Sequence, residues 1–474
     1  MEGRVDERRI LDRASQLAGE FLAALPERPV GVAVEAASLR ATLGGPLPEV
    51  GEDGLGVVER LAADADPGLV AMAGPRYFGF VIGGHHPVAL AADWLTSAWD
   101  QNLGLYVAGP ALSVVEEVAA GWLLDLFGLP ASASLGFTTG ATMANFTGLA
   151  AARHALLARA GWDVERQGLF GAPELDVVVG AEAHASILLA LQYLGLGRER
   201  VHSVPTDEQG RLCADLLPGV LAGCRGPILA CAQAGNVNSG AFDPLEAVVE
   251  QVHARDGWVH VDGAFGLWGA ASPRFAPLLR GAEGADSWAC DAHKWLNVPY
   301  DCGFVACADP AAHAAAMTIA AAYLVQDTGE RDGVDWAPEF SRRARGVPVY
   351  AVLRALGRAG VRELVERCCD LAARMARQLA EAPGVRVLND VVLDQVLVRF
   401  LDPDAPGDAA AADARTRAVI AAVQRDGTCW LGGTTWHGQA AMRISVVNWS
   451  TTEADADRSV EAILRCAGEV AAVA

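Results

Sequence analysis

Asp286-Ser287-Trp288-Ala289-Cys290-Asp291-Ala292-His293-Lys294-Trp295-Leu296-Asn297-Val298-Pro299-Tyr300-Asp301-Cys302-Gly303 is the stretch around which this chain reads. Lys294, near its centre, is the only lysine in 474 residues; the other 36 of the 37 basic side chains are arginine. A guanidinium stays protonated in any protein environment, whereas a desolvated lysine can lose its proton and attack a carbonyl. A chain that uses arginine everywhere else and keeps one amine points to Schiff-base chemistry at position 294.

Working outward, Gly257-Trp258-Val259-His260-Val261-Asp262 reads as a buried strand ending in a carboxylate, 32 residues before the lysine. Such an aspartate needs a partner, because an unpaired buried charge costs several kcal/mol. It either caps the next helix or holds a ligand. Further back, Leu135-Gly136-Phe137-Thr138-Thr139-Gly140-Ala141-Thr142-Met143-Ala144-Asn145 is a short strand entering a small-residue turn and then a helix to about Ala158. Free N–H groups and the positive end of a helix meet where Gly140, Ala141 and Thr142 allow close approach, which suits a phosphate. Leu175–Gly180 reads as another buried strand and is followed by His184 at the opening of a helix; Ile228–Ala232 is a further strand before the turn Gly235–Gly240. Strands alternating with helices imply an α/β fold around a mostly parallel sheet, whose ligands gather at the carboxyl ends of the strands.

These segments together resemble the pyridoxal-phosphate (PLP) amino-acid decarboxylases of the aromatic-amino-acid and glutamate decarboxylase kind, in which an Asn/Asp-x-His-Lys-Trp run ends in Asp-Cys-Gly or similar. The resemblance covers about residues 75 to 450. It implies PLP-dependent transferase fold type I, with a mostly parallel seven-stranded large-domain sheet and a small C-terminal α/β domain. It further implies a homodimer and decarboxylation of an L-amino acid to an amine and CO₂. Lys294 would carry the cofactor, Gly140, Ala141, Thr142 and His293 would take its phosphate, and His184 and Ala264 would flank its ring. Asp262 would hold its ring nitrogen, and Tyr323, 29 residues after Lys294, would return a proton to the substrate carbon. Phe80, Asn102 and Arg443 are the substrate-pocket candidates, Arg443 either for a carboxylate or in a surface ion pair. Aminotransfer, aldol-type cleavage and oxidative deamination start from the same bound amino acid and stay open as alternatives. So do the roles of Asn236 and Asn238, which either touch substrate or close their turn.

The ends of the chain frame this centre. Residues 7–24 carry an amphipathic helical stripe (Ile10, Leu11, Ala14, Leu17, Phe21); the resemblance implies that it packs across a partner subunit, and the stripe itself leaves the surface of its own domain open as the alternative. The expected division is an N-terminal helical arm over 1–75, a large PLP-binding domain over 76–340 and a small domain over 341–474. Residues 326–336 read as a mobile loop and 341–382 as one long helix. Strands are expected near 385–388, 395–400, 428–431 and 441–447, a helix over 411–425, and the Gly432–Gly438 run departs from the best-known decarboxylases.

A net charge of −21 argues against nucleic acid or an acidic membrane surface as partner and favours a small molecule. No apolar run reaches the ~18 residues of a membrane span, and the opening residues carry charges of both signs, so the chain reads as cytoplasmic. The ten cysteines form no Cys-x-x-Cys pair and predict neither a metal site nor a disulfide framework.

Overall fold

The computed structural model describes residues 7–319, 329–402, 404–405 and 407–473. Seven strands form its main sheet: β1 (Ser134–Thr138), β2 (Asp176–Gly180), β3 (Val201–Val204), β4 (Ile228–Gln233), β5 (Trp258–Asp262), β6 (Ser287–Asp291) and β7 (Gly303–Cys307), in the order β1-β7-β6-β5-β4-β2-β3. β7 runs antiparallel to β1 and β6, and the remaining neighbours pair in parallel. Every residue of β1, β4, β5, β6 and β7 is buried, which is why these segments read as near-continuous apolar runs: a parallel sheet has both faces covered. The helix Ala141–Arg159 lies over β5, β6 and β7. Trp268, Trp288, Phe127, Phe137 and Phe304 belong to one core cluster, with the rings of Trp268 and Phe127 in edge contact with or stacked on Phe304. With this topology the carboxyl ends of β1, β2, β4, β5 and β6, and the start of β7, share one edge of the sheet.

A second, antiparallel sheet follows, from β8 (Val385–Val387), β9 (Gln395–Phe400), β10 (Gly432–Trp436) and β11 (Gln439–Ser445), in the order β10-β11-β9-β8. The helix Ala409–Asp426 packs on it and on the helix Glu453–Val473. Tyr77 and Trp430 bridge in parallel and stack at 5.1 Å, tying the start of the large segment to this second sheet.

Several expectations change. The strand expected at 428–431 is only that Trp430 bridge; the true strand is Gly432–Trp436, whose Gly-Gly-Thr-Thr composition hides it. It turns back through His437 and Gly438, both at positive φ (47° and 77°), as a two-residue hairpin loop requires. The long helix, Gly346–Ala380, is interrupted at Gly357 (φ 60°, ψ 179°), which the apolar periodicity on either side conceals. The expected mobile loop lies partly outside the described residues, and its second half is anchored. Arg331 donates to the Leu135 carbonyl and lies over the Trp336 ring, and Asp332 is buried and accepts from the Tyr106 N–H. The edge strand β3 was not anticipated because it is short and only partly buried. The helix Glu7–Ala24 has the expected bounds and buries none of its residues within the chain. All ten cysteines are unpaired. Among the described residues no helix is long and apolar enough to cross a membrane.

Candidate active site

β5 ends in Asp262 and β6 in Asp291, and the turn after β6 carries His293 and Lys294. Lys294 Nζ lies 2.9 Å from Asp291 Oδ2. The other oxygen of Asp291 accepts the Ala141 N–H at 2.6 Å, so this carboxylate sits at the positive end of the helix Ala141–Arg159. Burial pulls the Lys294 amine down, but the Asp291 carboxylate, and behind it Asp262, outweigh burial and raise its pKa. Lys294 is therefore an ammonium in this arrangement.

His293 Nδ1 accepts the Cys302 N–H at 3.1 Å, which leaves the ring hydrogen on Nε2, 3.5 Å from Asp291 Oδ1. Its ring packs on Tyr300 with centroids 4.4 Å apart. Burial lowers its pKa, with Asp291 opposing, so the imidazole is neutral and its Nε2–H faces Asp291 Oδ1. Gly140, the residue before that helix, lies against the same imidazole, where a Cβ would stand 3.1 Å from His293 Cε1. Thr142, half-buried, stands at the same helix end.

On the other side, His184 caps the helix Ala185–Tyr193: its Nδ1 accepts the Ser186 N–H at 3.2 Å and lies 2.7 Å from Ser186 Oγ. Its pKa too is lowered, mainly by burial, with Asp262 opposing. Asp262 Oδ1 accepts the Ala264 N–H at 3.2 Å, and Oδ2 accepts from Asn145 Nδ2 at 3.2 Å and Ser186 Oγ at 3.4 Å. Lys294, Asp262, Asp291 and Arg443 all act electrostatically on His184, so the charged groups of this edge converge on one place. The arrangement is two buried carboxylates and an amine at a helix N-terminus, with two neutral imidazoles.

The pocket candidates fare differently. Arg443, on β11, donates from Nη1 to the Val237 carbonyl and from Nη2 to the Phe80 carbonyl. Among the described residues it forms no ion pair, and burial lowers its pKa against the opposing pull of Asp394. Phe80 is held there at φ 58°, half exposed and stacked on Trp430. Asn102 does not leave a spare acceptor: its Oδ1 takes the Gly104 and Arg342 N–H groups and closes a loop. Asn236 Oδ1 likewise closes its turn on Asn238 and Ser239, and Asn238 Oδ1 accepts the Thr434 hydroxyl. Tyr323 lies outside the described residues. Three polar residues at the site went unread in the sequence: Asp291, Asn145 and His260. Asp291 three before the lysine, and His260 and Asp262 on one face of a strand, were the available signals.

Known proteins resemble the chain over most of its length. The model of the pyridoxal-dependent decarboxylase conserved domain matches residues 39–400. An L-2,4-diaminobutyrate decarboxylase from Rhizobium meliloti (strain 1021) is 30% identical over 438 residues, 90% of this chain and 84% of that protein. An aromatic-L-amino-acid decarboxylase from Bacillus atrophaeus is 26% identical over 439 residues, 90% and 88% of the two chains. Among solved structures, the Oryza sativa TDC with PLP and tryptamine superposes with a TM-score of 0.92 at 24% identity, covering 99% of each chain. Mouse CSAD gives 0.90 at 23%, covering 98% of this chain and 99% of that one. The chain thus belongs to the pyridoxal-dependent decarboxylase family and is a PLP-dependent amino-acid decarboxylase.

Proposed function

We propose that the chain converts an L-amino acid to its amine and CO₂, with PLP held on Lys294. The observation that carries this reading is the only lysine of the chain, partly buried and paired at 2.9 Å with the strand-end carboxylate of Asp291, beside a helix N-terminus. The residues fit the cofactor. A phosphate suits the Gly140–Thr142 turn at the helix N-terminus beside the Nε2–H of His293, once Asp291 Oδ1, which the Ala141 N–H and that Nε2–H now face, gives way. A protonated ring nitrogen suits Asp262, a buried carboxylate whose protein donors leave room for one more hydrogen. His184 and Ala264 then border the ring.

When bound, PLP supplies an aldehyde for the amine and an electron sink for the pair left behind by CO₂. The protein must do the rest. Lys294 has to give up a proton before its amine can attack, and its ion pair with Asp291 sets how readily that happens. Arg443, whose Nη atoms among the described residues reach only backbone carbonyls, supports binding of a carboxylate and so a fixed orientation of the scissile bond. Tyr323 is assigned return of a proton to the substrate Cα, on its spacing from Lys294 alone.

The same reading includes the division at residues 75 and 340 and a homodimer. The helix Glu7–Ala24 without buried residues, and exposed Trp94, Leu95 and Trp99 along the helix Pro87–Trp99, support a second copy as cover. Unpaired cysteines suit the cytoplasm. The test is to give PLP-loaded protein a panel of L-amino acids and measure CO₂ and amine by mass spectrometry. Amine and CO₂ in equal amounts from at least one amino acid are expected. Keto acid or aldehyde without CO₂ would replace decarboxylation by another reaction at Cα.

A further inference from the structure

Along β5, the side chains of Trp258, His260 and Asp262 share one face, the one covered by the helix Ala141–Arg159. All three are buried, and His260 is 0% exposed. A fully buried histidine inside a parallel sheet needs both ring nitrogens satisfied. Here they are. His260 Nδ1 lies 2.8 Å from Ser287 Oγ, and Nε2 lies 2.9 Å from Asn145 Oδ1. Ser287 Oγ also accepts from Trp258 Nε1 at 2.9 Å.

Donor chemistry fixes the direction of every link. The indole N–H can only donate, so Ser287 accepts it and has its own hydrogen free for His260 Nδ1. Burial pushes the His260 pKa down to about 4, so the ring is neutral and its one hydrogen must be on Nε2. That hydrogen goes to Asn145 Oδ1, which turns the Asn145 amide group towards Asp262 Oδ2 (3.2 Å) and Ser186 Oγ (3.2 Å). Ser186 can also place its hydrogen on His184 Nδ1, 2.7 Å away, which leaves Asn145 as the committed side-chain donor to Asp262. A glycine makes the room: a Cβ on Gly148, one turn beyond Asn145 in the helix, would stand 2.8 Å from His260 Nδ1 and Cε1.

We propose that His260 is a positioning residue: through Asn145 it fixes the Asp262 carboxylate as an acceptor aimed at the cofactor's ring nitrogen. The relay runs from one end of β5 to the other, and linked hydrogen bonds of one direction reinforce each other in a low-dielectric interior. Without the imidazole, Asn145 is free to rotate its amide, and Asp262 loses its oriented donor. This inference rests on the reading that Asp262 meets the ring nitrogen.

The test compares PLP with 1-deaza-PLP, in which the ring nitrogen is replaced by C–H, by dissociation constant from tryptophan fluorescence quenching. The variants are His260→Phe, which keeps the shape, and His260→Gln, which keeps an N–H donor. The wild type should prefer PLP over the deaza analogue. In His260→Phe that preference should shrink about tenfold, the size of one charge-assisted hydrogen bond, while deaza affinity stays near wild type. His260→Gln should restore most of it. A His260→Phe protein that loses both ligands equally, or keeps the full preference, overturns the positioning role. A wild type that binds the two ligands alike overturns the reading of Asp262 itself. If His260→Phe does not fold, Asn145→Ala breaks the same link from the other side and is held to the same outcomes.

Discussion

Gly303→Ala tests the phosphate cradle without removing any polar group. Gly303 opens β7 and pairs with Thr138 of β1 on one side and Asp291 of β6 on the other, so it lies directly behind the turn at Gly140. A Cβ built on it would stand 2.6 Å from both the Cα and the carbonyl carbon of Gly140, and 2.9 Å from Asp291 Oδ1. Ordinary contact begins at 3.4 Å, so the turn must retreat by about 0.8 Å (3.4 minus 2.6) or β7 must shift. Overpacking of this kind costs roughly 1–3 kcal/mol. A cofactor held at Lys294 and Asp262 as proposed could not follow the turn, so much of that cost would fall on phosphate binding. The expected result is PLP affinity weakened by about 5- to 150-fold, the same energy expressed as a ratio. Pyridoxal, which lacks the phosphate, should bind as it does to the wild type. Gly121→Ala, where a Cβ meets nothing within 4 Å, serves as the control. Both can be titrated by absorbance and tryptophan fluorescence on protein checked for folding by circular dichroism. Normal PLP affinity in folded Gly303→Ala, or an equal loss of pyridoxal and PLP, would refute the placement of the phosphate.

Three further outcomes are expected. In Asp291→Asn, burial is no longer outweighed by the neighbouring carboxylate, so the Lys294 pKa falls; as the sole lysine it gives one side-chain signal in a ¹³C-lysine NMR titration, and an unmoved midpoint would count against the ion pair. The folded-state pKa of His260, about 4, lies below its ordinary 6.5, so the stability it contributes is complete above pH 6.5 and is lost as pH falls towards 4. His260→Phe should therefore unfold with a shallower acid limb in denaturant titrations across that window, and an unchanged slope would show that another group governs it. Tyr323→Phe should still release CO₂ but yield aldehyde, ammonia and peroxide at the expense of dioxygen in place of amine; amine formed at the wild-type rate removes Tyr323 as proton donor.

Legibility in the sequence followed the physics of each signal. β4, β5 and β7 announced themselves because strands buried on both faces are nearly unbroken apolar runs, and Lys294 because it is the only lysine in the chain. β10 stayed hidden because its Gly-Gly-Thr-Thr segment lacks apolar alternation and is held by pairing with β11, a partner that adjoins it only through the His437–Gly438 turn. The break at Gly357 was masked because both flanking segments keep helical periodicity. Arg331 and Asp332 looked like solvated loop residues, since nothing local shows that Leu135 and Tyr106 supply their partners from about 200 residues away. The relay from His260 to Asp262 was unreadable for the same reason. Asn145 and Ser287 reach it from a helix and a strand far apart in the chain.

The central claim is that Lys294 carries the cofactor, and this chain allows an unusually direct test because its only other amine is the N-terminus. Protein loaded with PLP is reduced with borohydride, digested and mapped by mass spectrometry. The account predicts one pyridoxyl group per chain, on Lys294, and none at that position in Lys294→Arg, which should also lack visible absorbance after desalting and lack turnover. A pyridoxyl group confined to the N-terminus, or wild-type absorbance and turnover in Lys294→Arg, would contradict it.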